Sequence, residues 1–184
     1  MLKTTPPLFD ETPADYARIS REITKSKYSK NVNIAFLSSY TAEILKPYIR
    51  VELAKSSIFS SVYFAPYNNI EQEIIDNNSG LYASNPDIVV IHIGIEDISQ
   101  NVLTRFYSYS SDEIKNVTSS IVSRYKEMIR AFRKKSNAQI IIVDFAYIQN
   151  ESFGFSGSPL AHSLSAYIQN INDFDIKKLN TKIN

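Results

Sequence analysis

Ser38 and Ser39 follow directly after a short apolar run at residues 33–37 and precede a stretch with helical spacing. A serine between a strand and a helix can act as a nucleophile, because helix N-terminal amides stabilise the oxyanion formed when it attacks a carbonyl group. Serine is also a preferred helix cap, and position alone favours capping over catalysis. Both interpretations stay open from the residues, with Ser39 as the candidate nucleophile.

The segment Gly94-Ile95-Glu96-Asp97 is the second place where chemistry is expected. Glycine lets a backbone approach a ligand closely. The carboxylates of Glu96 and Asp97 could bind a substrate hydroxyl, act as acid or base, or hold a hard cation. In the alternative interpretation the segment is a loop in which Asp97 caps the next helix.

The remaining groups that could do chemistry are few. His92 lies inside an apolar run, where histidine is more often a hydrogen-bonded core residue than a catalytic one. His162 is the only candidate general base downstream of Ser39. Asp144 could be phosphorylated or bind Mg²⁺, but the residues after it supply no second carboxylate. Cysteine is absent and histidine occurs twice, so we expect neither a metal centre nor a cofactor.

Alternating strand and helix patterns must position these residues. Apolar runs at residues 33–37, 58–65, 88–94 and 140–145 are typical of strands, and apolar residues recur at helical spacing between 112 and 135. This order predicts a parallel sheet between helices, a three-layer α/β/α fold of flavodoxin-like type. Ligands of such sheets bind beyond the carboxyl ends of the strands. The residues expected to contact a substrate are therefore Ser38, Thr41, Gly94, Glu96 and Asp97.

The N-terminal residues differ in composition from the rest of the chain. Residues 1–30 hold three of the seven prolines and predict a leader with one short helix from Ala14 to Ile23. The domain is then expected over residues 31–184, incomplete at its C-terminus because no closing strand precedes Asn184. Pro47 predicts that its helix starts late or bends. Ser110 and Glu113 form a capping box before the longest helix.

Charge and hydropathy exclude several classes of protein. Lys and Arg number 20 against 19 Asp and Glu, whereas a general nucleic-acid binder carries a basic excess to neutralise phosphates. The longest apolar stretch, residues 88–95, is interrupted by His92 and is too short to span a bilayer. No signal-peptide pattern is visible. We expect a soluble, cytoplasmic protein with neither nucleic acid nor membrane as a partner.

Two stretches of the sequence resemble the N-terminal domain of FkbH-like proteins. They are NIAFLSSYTAEIL and VYFAPYNNIEQEIIDNNSGLYASNPDIVVIHIGIEDI. The tail SLSAYIQNINDFDIKKLN is similar to the helix before that domain's last strand. The resemblance covers about residues 31–184 and is most specific from Tyr67 to Asp97. The residues that match the family's pattern there are Gln72, Glu73, Ile74, Asp76, Ser79 to Tyr82 and Pro86 to Val90.

The resemblance implies an SGNH-hydrolase-like domain that is followed by a haloacid-dehalogenase-type domain. The family moves a phosphoglyceryl unit to an acyl carrier protein with loss of phosphate, which feeds polyketide biosynthesis or related assembly lines. That chemistry belongs to the second domain, whose Asp-x-Asp-x-Thr signature is absent from this sequence. The resemblance therefore implies an accessory module that docks the carrier protein or the catalytic domain.

The SGNH comparison can be made block by block. Ser39 matches the nucleophile of the Gly-Asp-Ser block, although the glycine and aspartate of that block are replaced. Gly94 and Asp97 match the Gly-x-Asn-Asp block, but Glu96 replaces the oxyanion-stabilising asparagine, and an ionised carboxylate would repel an oxyanion. The Asp-x-x-His block has no match before the last residue.

An intact triad is therefore not expected, and the sequence leans against an enzyme without deciding the question. The alternative function is an SGNH-type serine esterase or acyltransferase. In that case Ser39 would be the nucleophile and His162 would be recruited as the base.

Overall fold

A computed structural model describes residues 12–146, 163–177 and 179, in which four parallel strands form one sheet. The strands are β1 (Lys30–Ser38), β2 (Ile58–Phe64), β3 (Ile88–His92) and β4 (Gln139–Ile142), in the order β2-β1-β3-β4. Ile34 of β1 pairs with Val62 of β2 on one side and with Ile88 of β3 on the other. Because β3 pairs with β1 on one side and with β4 on the other, the predicted interior position of the apolar strand near residue 90 is confirmed.

Helices cover both faces of this sheet. They are α1 (Pro13–Glu22), α2 (Lys46–Lys55), α3 (Ile70–Ile75), α4 (Gly80–Ala83), α5 (Ile95–Ile98), α6 (Val102–Arg105), α7 (Ser111–Arg133) and α8 (Leu164–Asn170). Short 3-10 segments cover Lys25–Lys27, Glu43–Leu45 and Phe106–Ser108, and α8 continues as a π-helix over Ile171–Ile176. None of the helices described is long and apolar enough to cross a membrane.

The alternation of side chains along the strands separates two apolar cores. Leu37 and Ile91 lie in the larger core with residues of α3, α7 and α8. On the other face α2 packs on β2 and α1 packs on α2, around a smaller core centred on Tyr16 and Val51. The predicted three-layer α/β/α architecture is therefore confirmed.

Local sequence signals explain where the main helices begin. The Ser110 hydroxyl accepts the Glu113 N–H, and the Glu113 carboxylate accepts the Ser110 N–H, which confirms the predicted capping box. Thr12 and Asp15 form a second capping box at the start of α1. Pro47 lies in the first turn of α2, so that helix starts late rather than bending.

A buried carboxylate organises the part of the chain that carries the most specific motif. Glu73 is 7% exposed, and its carboxylate accepts the Tyr63 hydroxyl at 2.9 Å and the Leu81 N–H at 2.9 Å. Burial, and next the bond to Glu73, raise the pKa of Tyr63 to about 12. Gly80 lies so close that an added Cβ would be 2.3 Å from the Tyr63 hydroxyl oxygen. The motif residues therefore fasten α3 and α4 to β2.

The strand β4 ends earlier than the predicted run to residue 145. Beyond it, the N–H and the C=O of Phe145 both bond the side-chain amide of Asn172, each at 2.9 Å. Asn172 is 2% exposed and lies in the π-helix. A side chain thus replaces the strand partner that Phe145 would otherwise need, and ties the chain after β4 to the C-terminal helix.

Candidate functional site

The loops after β1 and β3 meet at the carboxyl edge of the sheet. Because β1 and β3 are neighbours and the chain turns to opposite sides of β1, this edge is the topological switch point where α/β folds bind ligands. The Gly94 N–H donates to the Ser39 hydroxyl oxygen at 2.9 Å. The Ser39 N–H donates to the His92 carbonyl oxygen at 3.2 Å. The structure thus brings together the serine and glycine segments that the sequence singled out.

Ser39 is enclosed at this junction, with 2% of its surface exposed. Its hydroxyl oxygen accepts one backbone N–H, and its own N–H extends the hydrogen bonding between β1 and β3. The amides of Ser39 and Gly94 are therefore both bonded within the protein. An oxyanion formed at Ser39 would need such amides directed at the substrate.

The capping interpretation of the two serines is wrong. The Ser38 hydroxyl donates to the Tyr40 carbonyl oxygen at 2.6 Å, within the turn that follows β1. The next helical residue is Glu43, and neither its 3-10 segment nor α2 has a side-chain cap. The chain needs several residues to turn from the sheet edge to α2, so the serines lie too early to reach its amides. Thr41, also expected to contact a substrate, is exposed in this turn.

Tyr40 and His92 form a polar pair that the sequence analysis missed. The Tyr40 hydroxyl lies 2.6 Å from His92 Nδ1, and the two rings meet edge to face with centroids 5.1 Å apart. Burial lowers the pKa of His92, while Glu96 acts in the opposite direction, and burial raises the pKa of Tyr40. A neutral imidazole with its proton on Nε2 can accept a hydrogen bond from the Tyr40 hydroxyl at Nδ1. The prediction that His92 is hydrogen-bonded within the fold is confirmed.

Glu96 and Asp97 lie in the first turn of α5, which begins directly after Gly94. A Cβ added to Gly94 would be 2.8 Å from Glu96 Oε1 and 3.0 Å from Asp97 Oδ2, so both carboxylates fold back over the glycine. Asp97 lies inside a helix and does not cap one, which corrects that alternative. Glu96 is exposed and Asp97 is half-buried, so the carboxylates face the solvent side of the edge.

Two further candidates contribute little to this site. Asp144 is exposed beyond the end of β4, and no group of three metal-ligating side chains is found among the residues described. His162 lies outside the described residues, so its role as a base stays a prediction.

Comparisons with known proteins identify the family to which the chain belongs. No curated protein matches the sequence. The fold resembles a solved structure described as the N-terminal part of the protein BF1531 from Bacteroides fragilis containing a phosphatase domain, complexed with Mg. The TM-score is 0.66 at 16% identity, over 94% of this chain and 43% of that chain. The chain therefore spans less than half the length of that relative.

The family described as FkbH, N-terminal domain, matches residues 33–184. This chain belongs to the FkbH N-terminal domain family.

Proposed function

We propose that this domain is a docking module of an FkbH-like protein. It holds an acyl carrier protein while a haloacid-dehalogenase-type domain, which follows in the family, loads a glyceryl unit from a phosphoglyceryl donor. One observation carries the proposal: the groups that a serine hydrolase would direct at a substrate bond one another here. An acyl carrier protein as the partner would place the domain in the cytoplasm.

The hydrogen bonds at the sheet edge support a non-hydrolytic role. The hydroxyl of Ser39 accepts the Gly94 N–H, and the Ser39 N–H is bonded to His92. Oxyanion stabilisation depends on preorganised donors that point at the developing charge, and both amides point into the protein instead. The serine and glycine lie at the ends of β1 and β3, in keeping with an SGNH-like ancestry whose catalytic function has been lost.

Exposed apolar side chains on the same edge support docking. Ile44 is 73% exposed in the 3-10 segment after β1, and Tyr67 is 67% exposed in the loop after β2. Tyr107 is 47% exposed in the 3-10 segment before α7. We call these three side chains the edge patch. The three side chains lie in the segments that follow β1, β2 and β3, and exposed apolar side chains that together form a patch mark protein interaction sites. The phosphatase domain named for the Bacteroides fragilis relative is the kind of partner that the proposal requires.

Binding tests the proposal directly. We expect the immobilised chain to bind the phosphopantetheine-bearing carrier protein of the same organism, measured by biolayer interferometry. Ile44→Asp should weaken this binding by about tenfold or more, because it places a charge in the apolar contact. Ile75→Asp is the matched control, since Ile75 is 65% exposed at the last residue of α3 and is not one of the three side chains of the edge patch. Equal binding by both variants, or no binding by the unmodified chain, would contradict the proposal.

A second experiment separates docking from the esterase or acyltransferase alternative. A fluorophosphonate probe reacts with an activated serine, and we expect no labelling of Ser39 because its hydroxyl is enclosed and bonded. Labelling that disappears in Ser39→Ala would establish a nucleophile and would overturn the non-hydrolytic part of the proposal.

A further inference from the structure

A cavity of about 330 Å³ lies between α3 and α7, near the carboxyl end of β3. Its polar lining comes from Asn68, Asn69, Glu71, Gln72 and Arg124, and its apolar lining includes Ile93 and Met128. Ile93 and Met128 belong to the larger core, so the apolar wall is part of the rigid fold. The cavity is lined neither by the serine junction nor by the three side chains of the edge patch, although Asn68 directly follows Tyr67 in the chain.

Arg124 is held in one orientation at this cavity. Its Nε donates to Glu71 Oε1 at 2.6 Å, and its Nη1 donates to the Asp97 carbonyl oxygen at 3.3 Å. The contacts with described residues leave its Nη2 unused. A guanidinium group fixed on one edge presents its remaining N–H donors to a ligand with little further loss of side-chain entropy.

The Glu71–Arg124 ion pair spans the groove between the two helices. A second cavity of about 210 Å³ lies along the same groove and shares Glu71, Arg124 and Met128 with the first. Ile74 and Ala131 extend the apolar surface there. The charged lining of the groove is Arg124 with the carboxylates of Glu71 and Glu127, and its walls are apolar. The guanidinium is the group there that can bind an anionic head, while the walls suit an apolar part.

We propose that the cavity binds a small oxyanion, the carboxylate or phosphate of a short-chain molecule, through Arg124. The ligand oxygens accept from the free edge of the guanidinium, the side-chain amides of Asn68 and Gln72 supply further donors, and the apolar part lies on Ile93 and Met128. Glu71 competes with the ligand for Arg124, so removal of its charge should strengthen binding. This site is independent of the docking proposal, and either can fail alone.

The test is a titration of the ¹⁵N-labelled chain followed by NMR, at constant ionic strength. Sodium butyrate and inorganic phosphate are the probes, and butyramide is the uncharged control. We expect saturable shifts of the backbone amides of residues 68–72 and of the Arg124 Nε–H signal with an anionic probe, and none with butyramide. Whichever of butyrate and phosphate binds more tightly identifies the head group.

Variants decide whether Arg124 is the anchor. Arg124→Gln should weaken binding by about tenfold or more, Arg124→Lys should restore part of it, and Glu71→Gln should strengthen it. Arg130→Gln, on the exposed side of the same helix, is the matched control and should bind as the unmodified chain does. The proposal is overturned if neither anion gives saturable shifts, or if Arg124→Gln, with its other amide signals unchanged, binds as before.

Discussion

The Gly94 N–H donates to the Ser39 hydroxyl oxygen at 2.9 Å and thereby joins the carboxyl ends of β1 and β3. The Ser39 N–H reaches back to the His92 carbonyl oxygen, so each loop satisfies a polar group of the other. A position that resembles a catalytic serine in sequence thus has a structural role. The contact makes the switch point of the sheet a closed junction between two loops.

Replacement of Ser39 by alanine tests this structural role. Ser39→Ala removes the acceptor of the Gly94 N–H, and we expect a loss of about 1 kcal/mol in the free energy of unfolding. Urea denaturation provides the measurement. Ser120→Ala, on the exposed surface of α7, is the control and should stay within about 0.5 kcal/mol of the unmodified chain. Equal effects of the two variants would show that the junction contributes nothing to stability.

Gly80→Ala tests the packing of the family motif. The added Cβ would overlap the Tyr63 ring, and Glu73 holds that ring in place, so we expect a loss of about 1–3 kcal/mol in stability. Gly94→Ala is the matched comparison, because the atoms nearest to its Cβ would be the ends of exposed or half-exposed carboxylate side chains, which can move aside. Thermal unfolding should rank Gly80→Ala as the less stable variant, and the reverse order would refute this packing argument.

The fold could be predicted from the sequence because its signals are local. Apolar runs of strand length, the capping box at Ser110 and the proline at position 47 each act within a few residues. The motif around Gly80 is specific in sequence, but the sequence does not show why position 80 needs a glycine. The residue that requires a glycine there is Tyr63, on a different element of the fold.

His92 predicts a pH dependence of stability. Burial, opposed by Glu96, lowers the pKa of His92 from its ordinary value of 6.5, so the folded chain binds this proton less readily than the unfolded chain. The stabilisation is therefore present above about pH 6.5 and is lost as the pH falls through and below that value. Gln at this position keeps an acceptor for Tyr40 but does not titrate.

The measurement is the free energy of unfolding in urea between about pH 7.5 and 5.5. We expect it to fall with pH in the unmodified chain and to fall less in His92→Gln. An identical slope in the two proteins would show that His92 is not the group responsible.

Asn172→Ala tests the contact between the Asn172 side chain and the backbone of Phe145. Both backbone groups of Phe145 lose their buried partner, and we expect a loss of about 2–4 kcal/mol in stability. Asn170→Ala, two residues earlier and exposed, should change stability by less than about 0.5 kcal/mol. Chemical denaturation compares the two, and similar midpoints would contradict the role assigned to Asn172.

The candidate site could be predicted only in part. The sequence predicts Ser39 and Gly94 beyond the carboxyl ends of two parallel strands, which meet at one edge of a sheet. The pairing of those two strands as neighbours is seen only in the structure. The sequence missed the partner of His92, since the Tyr40 side chain meets the imidazole only after the loop beyond β1 has folded. Arg124 was missed for a similar reason: nothing in a long amphipathic helix shows which exposed arginine faces a groove.

Hydrogen exchange of the chain, with and without the phosphopantetheine-bearing carrier protein, tests the docking account most directly. The account predicts slower exchange on binding in the backbone of residues 39–45, 65–69 and 106–109, which carry the edge patch, and unchanged exchange in α1. Slower exchange confined to α1 or β4, or no change anywhere at a saturating concentration of carrier protein, would contradict it.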